Sequence, residues 1–132
     1  GSENASGTKP LAKIVDINIT GIDPDNSPDG CIVAAEDILL KNGIDSSEID
    51  LFEINESFAC KPLAFSKHFE VEEGNINILG GNLSMGHPYA ASGVINMINL
   101  ICGLKLKNKK YGLVSAGVAG GFGAAVLIEN IK

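Results

Sequence analysis

The chain has 132 residues, enough for one ordinary domain with a real core and too few for two. With 45% hydrophobic and 20% charged residues it reads as a folded globular protein, not a disordered one. A net charge of −6 argues against nucleic acid as a partner, because phosphate binding needs a concentrated Lys/Arg face. Three cysteines without CxxC spacing suggest neither a disulfide framework nor a zinc site, so the expectation is no metal and a reduced, cytoplasmic setting. No apolar stretch reaches the roughly 20 residues of a membrane span, and no secretory signal is visible.

Gly1-Ser2 resembles a cloning scar, and residues 1–9 read as a polar flexible arm ahead of a domain over 10–132. From Leu11 to Ile19, Ile14, Ile17 and Ile19 alternate with Lys13, Asp16 and Asn18, which predicts a strand. The segment from Gly21 to Gly30, with Pro24 and Pro28, is a loop by composition. Ile32, Ala35, Ile38 and Leu39 recur at helical spacing until Asn42-Gly43 stops the helix. A one-turn link over Asp45 to Glu48 leads into a short buried strand, Leu51 to Ile54. A second helix runs from near Ser57 to about Phe69, with Pro62 tolerated near its first turn. Asn75 to Leu79 reads as a short extended piece. A third helix follows Pro88 and ends in the basic run Lys105 to Lys110, which complements its dipole in solvent. Tyr111 to Ala116 and Phe122 to Ile128 are the last two strands. This order predicts an α/β fold with a mixed, mostly parallel five-stranded sheet covered by helices and closed by an antiparallel pair.

Ligand sites in such sheets lie outside the carboxyl ends of the strands. Three polar or glycine-rich loops follow strands here. Asn55 and Glu56 end the buried strand, where they serve equally as a helix cap. His87 is held between flexible Gly86 and rigid Pro88, and the helix N-terminus beside it favours the neutral imidazole that a hydrogen-bonding base requires. Gly117 to Gly121 joins the last strands, either as a glycine-rich turn or as bare backbone whose N–H groups point at a ligand oxygen. The spacing of Gly80, Gly81 and Gly86 meets neither phosphate-binding fingerprint. His68 reads as solvated surface, and Cys60, on a predicted helix, as a core residue.

Asn55-Glu56-Ser57-Phe58-Ala59 resembles the Asn-Glu-Ala-Phe loop of thiolases, and Gly80 to Pro88 followed by Ala91-Ser92-Gly93 resembles their Gly-His-Pro loop and the helix after it. Pro10 to Ile14 is similar to the opening of the thiolase C-terminal domain, so the resemblance covers about Thr8 to Lys132. It implies Claisen chemistry on acyl-coenzyme A thioesters, with coenzyme A as part of the substrate and no bound cofactor. It implies that His87 activates a nucleophilic cysteine and holds the thioester oxyanion, that Asn55 positions a water in the same hole, and that Glu56 and Ser57 support them. Gly117, Gly120 and Gly121 would contribute backbone donors. The family's nucleophile lies in an N-terminal half, the implied partner, whether from the same gene or a separate subunit. The family's acid/base cysteine aligns with Gly117, which leaves no side chain at that position to take a proton. The resemblance therefore leaves three readings: half of an acyltransferase, a decarboxylating condensing enzyme that needs no base at position 117, or a non-catalytic binding or assembly domain. The chain by itself is expected to be inactive, to expose an apolar face, and to form homo-oligomers.

Overall fold

The computed structural model describes Gly7 and residues 9–131, so nearly all of the expected arm over residues 1–9 lies outside the described residues. The elements are β1 (Ala12–Gly21), α1 (Gly30–Asn42), β2 (Leu51–Ile54), α2 (Cys60–Phe69), the one-turn α3 (Asn82–Met85), α4 (Ser92–Leu106), β3 (Tyr111–Val118) and β4 (Phe122–Asn130). The α/β class stands, but two details of the expected sheet are corrected. It has four strands, in the order β1-β4-β3-β2. Only β2 and β3 run parallel, while β1–β4 and β3–β4 are antiparallel.

Both corrections have local causes. Ile76 makes a single parallel bridge to Phe52, and the chain then turns at Asn77, whose φ is +51°. The Asn77 side chain stands in for the missing strand: its Oδ1 accepts from the Ile54 amide at 2.8 Å and its Nδ2 donates to the Ile54 carbonyl at 3.1 Å. The β2 edge is thereby satisfied without a fifth strand. At the other end of the chain, Gly120 (φ +91°) and Gly121 (φ +82°) form a tight turn that folds β4 back along β3. The free edge of β4 then takes β1.

Helix α1 ends where the sequence stops it, at Gly43 with φ +63°, whose N–H closes on the Leu39 and Leu40 carbonyls. Its Ala34, Ala35 and Ile38 are fully buried with Phe52, Ile54, Phe65, Leu113 and Leu127 on one face of the sheet. Phe52 and Phe65 meet edge to face with centroids 5.5 Å apart. Leu51, Leu100, Leu104, Val114 and Ile128 pack under α4 on the other face. Each of the large side chains removed from water contributes roughly 1.5–3 kcal/mol.

Helix α4 does not reach across the whole of that second face. A bulge at Val15 brings Ile14 into phase with Ile17 and Ile19, and Ile17 and Ile19 are left 55% and 73% exposed. The polar members of the alternation turn the other way, toward α1: Asp16 meets Lys41 and Asn42, and Asn18 meets Asp37. Tyr89–Leu106 has the length and mean hydropathy (1.3) of a membrane-crossing helix. It packs Ser92, Asn96, Leu100 and Leu104 inward and leaves Val94 and Ile98 exposed.

Candidate functional site

The parallel pairing of β2 with β3 sets Ile54 beside Ser115, so the loops leaving both strands emerge together. The Asn55 amide donates to the Ser115 carbonyl at 2.9 Å and carries the ladder one residue into the loop. Backbone position is therefore fixed at Asn55, while its side-chain Oδ1 is buried with no hydrogen-bond partner among the described residues. Such an orphaned acceptor costs about 1–3 kcal/mol unless a ligand or water satisfies it.

Glu56 points away from Asn55 and ties the loops together. Its Oε1 accepts from Asn77 Nδ2 at 2.7 Å and its Oε2 from the Leu83 amide at 2.8 Å. Gly81 lets that carboxylate lie against the backbone, since a Cβ there would collide with it. Asn82 Oδ1 accepts from the Glu56 amide at 3.3 Å, and Asn82 Nδ2 donates to the Gly86 carbonyl at 3.1 Å. The loop that carries His87 is thus pinned to the loop that carries Asn55.

His87 lies 2.7 Å through Nδ1 from the hydroxyl of buried Ser92, the first residue of α4. No hydrogen bond among the described residues engages its Nε2. Asn55, Ser57, His87 and Gly117 line one cleft of about 800 Å³. The structure brings these four expected residues together.

Other expectations are not met. Gly120 and Gly121 lie outside the lining of this cleft. The Gly121 N–H donates to Ser27 Oγ at 3.0 Å and its carbonyl accepts from Ile22 at 2.7 Å, so it serves the turn and offers no donor to a ligand. Glu56 likewise lies outside the lining and acts through the loops it fastens. Cys60 is exposed at the start of α2 instead of packing in the core, because the helix begins there and not near Ser57. His68 is exposed, as expected, and meets Glu36 of α1 at 2.7 Å.

The cleft also holds a residue to which the sequence assigned no role. Lys61 is only 3% exposed, yet among the described residues its amine forms no ion pair. Its Nζ donates to Ser57 Oγ at 3.1 Å and stands 3.2 Å from where a Cβ on Gly117 would lie. Burial pushes its pKa below the usual lysine value, against the opposing pull of Cys31, Cys60 and Asp29. A signal was present: Lys61, Phe65 and Phe69 recur at four-residue spacing, which places a cation on a stripe that is otherwise aromatic. Beneath the site, Glu53 is 1% exposed with Oε2 unpartnered, and burial, reinforced by the Glu56 charge, raises its pKa to about 8. His87 Nε2 and a water donating to Asn55 Oδ1 can thus hold a carbonyl oxygen in a mostly apolar cleft whose lining includes a buried amine. None of the three free thiols lines it.

Comparison with known proteins gives a consistent result. Residues 8–130 match the family model described as thiolase, C-terminal domain. The chain is 38% identical over 121 residues to the mitochondrial 3-ketoacyl-CoA thiolase of Bos taurus, covering 92% of this chain and 30% of that protein. It is 33% identical over 128 residues to the acetyl-CoA acetyltransferase of Escherichia coli, covering 97% of this chain and 32% of that one. The crystal structure of human mitochondrial 3-ketoacyl-CoA thiolase in complex with CoA superposes with a TM-score of 0.92 at 32% identity, over 98% of this chain and 33% of that one. The chain therefore spans about a third of the length of the relatives it matches.

Proposed function

Because the chain belongs to the thiolase C-terminal domain family, we propose that it forms one wall of an acyl-coenzyme A acyltransferase site that makes or breaks a carbon–carbon bond by Claisen chemistry. In this reading His87 Nε2 and a water held by Asn55 Oδ1 bind the thioester oxygen as negative charge develops on it. The observation that carries the reading is the convergence of Asn55, with its unpartnered buried oxygen, and His87, with Nδ1 anchored on Ser92, in one cleft.

The nucleophile and most of the coenzyme pocket come from the N-terminal two thirds of a thiolase, supplied by the same gene or by a separate subunit. The exposed stripe of Ile14, Ile17 and Ile19 suits burial by such a partner or by a second copy. The domain by itself turns nothing over. Co-expression with a thiolase N-terminal half should give a complex that acylates from acetyl-CoA, and His87→Ala should lower its turnover roughly 10²–10³-fold, the effect of losing one oxyanion donor. A stable complex that binds no acyl-CoA, or whose turnover is indifferent to His87→Ala, overturns the proposal.

The bare position at Gly117 favours a second reading, a decarboxylating condensation in which loss of CO₂ replaces removal of a proton. Condensation from malonyl-CoA with no α-proton exchange on acetyl-CoA would select it.

A further inference from the structure

We infer that Lys61 is the acid/base of this site, its amine taking the proton from the acyl α-carbon of a thioester bound in the cleft. The inference rests on the acyltransferase reading and adds to it the group that makes the carbanion. Among the described residues, three titratable side chains line the cleft: His87, Tyr89 and Lys61. Tyr89 is 84% exposed at the rim, and His87 is committed to the oxygen. Lys61 alone is buried, and its Nζ lies on the cleft 3.2 Å from where a Cβ on Gly117 would stand.

An amine accepts a proton only when neutral, and its surroundings favour that form. No carboxylate lies within ion-pair distance of Nζ among the described residues, and its one hydrogen-bond partner is the uncharged Ser57 hydroxyl. The titratable groups that face it are Cys31 on α1, Asp29 just before that helix, Cys60 beside it on α2, and His87 across the cleft. Gly117, with no side chain, lets Nζ and the Ser27 and Pro28 carbonyls lie close to β3.

The step balances as a proton transfer followed by bond formation. The Lys61 lone pair takes the α-proton, and the C–H electron pair becomes the enolate, with its charge on the oxygen held by His87 and the water on Asn55 Oδ1. The enolate pair then forms the new bond to the acyl carbonyl of the partner portion's thioester. The departing thiolate recovers the proton from the Lys61 ammonium.

Two measurements test this. In the 132-residue chain, reductive ¹³C-methylation of the lysines gives one NMR signal per amine, and Lys61→Met identifies that of Lys61. Its titration midpoint should lie below those of the other lysines, and a midpoint among them overturns the inference whatever the activity. In the complex with an N-terminal half, exchange of acetyl-CoA α-protons in deuterated water should fall about 100-fold or more in both Lys61→Met and Lys61→Arg. Acylation of the nucleophile, followed in parallel, should fall far less than exchange in both variants. The exchange rate of the unaltered complex should rise with pH to a plateau at the Lys61 midpoint, and the variants should lose that limb. An active complex whose exchange is indifferent to both substitutions reduces Lys61 to a packing residue. A complex that neither binds nor acylates sinks the acyltransferase reading itself.

Discussion

Strand β2 is four residues long, and the polar groups at its two ends, half-buried at the first and buried at the second, are treated in opposite ways. Where it begins, Asp50 Oδ2 accepts from the amides of Lys110 at 2.9 Å and Tyr111 at 3.1 Å, while Oδ1 lies 3.3 Å from Lys109. Where it ends, Glu53 Oε2 and Asn55 Oδ1 are buried without partners, and one turn later Lys61 is buried with a single hydroxyl for company. The contrast lies within one strand and its immediate neighbours. Of the four buried side-chain atoms without a partner among the described residues, Glu53 Oε2 and Asn55 Oδ1 lie at this end, Asn96 Oδ1 on α4 and Asn130 Oδ1 at the end of β4; Asn55 alone lines the cleft, and there local stability is given up for function.

Substitutions at the two ends should therefore separate activity from stability. The largest effect belongs to Asn55→Ala, which should lower turnover of the assembled enzyme by roughly 10²–10³-fold while leaving the urea midpoint unchanged or higher. Loss of stability without loss of activity would break the contrast. Next comes Glu53. Its carboxyl is neutral in both folded and unfolded states below about pH 4.5, and ionises in the unfolded chain first, because the folded pKa is raised to about 8. Stability should fall by a few kcal/mol as pH rises across that window, and Glu53→Gln should remove the slope. Equilibrium unfolding at a series of pH values reads it directly.

At the other end, Asp50→Ala should cost about 1.5–3 kcal/mol by leaving two amides without a charged acceptor, with acylation rates unaltered. The smallest effect, and one of opposite sign in pH, is at Asp16. Hydrogen bonds from Lys41, then Asn42 and the Ile17 amide, hold its pKa at about 2. Its contribution should persist above the ordinary carboxylate pKa of 3.8 and vanish as pH falls toward 2, so Asp16→Asn should flatten the acid limb of a thermal-melt series.

Much of this architecture was legible because single residues dictate it. Gly43 ends α1 through its positive φ, Leu51–Ile54 is a run of four apolar or buried residues bounded by polar ones, and the loops of Asn55 and His87 follow from motif and position. What escaped depends on contacts remote in sequence. No local pattern predicts that the Asn77 side chain will imitate a strand for Ile54, 23 residues earlier, and so cancel a fifth strand. Likewise, a glycine-rich turn and a row of ligand-facing amides have one composition, and it is Ser27, 94 residues from Gly121, that decides between them. Lys61 was readable as an oddity on an apolar stripe, but its place beside Gly117 exists only once α2 and β3 are packed.

That adjacency has an evolutionary consequence. A Cβ at position 117 would stand 2.7 Å from the Ser27 carbonyl oxygen, 3.0 Å from that of Pro28 and 3.2 Å from the Lys61 amine. The first two are backbone atoms, which cannot step aside as a flexible side chain can. Positions 27, 28 and 117 are therefore coupled: a side chain at 117 becomes tolerable only after the loop before α1 has moved, whereas the Lys61 amine, at the end of a flexible chain, can give way.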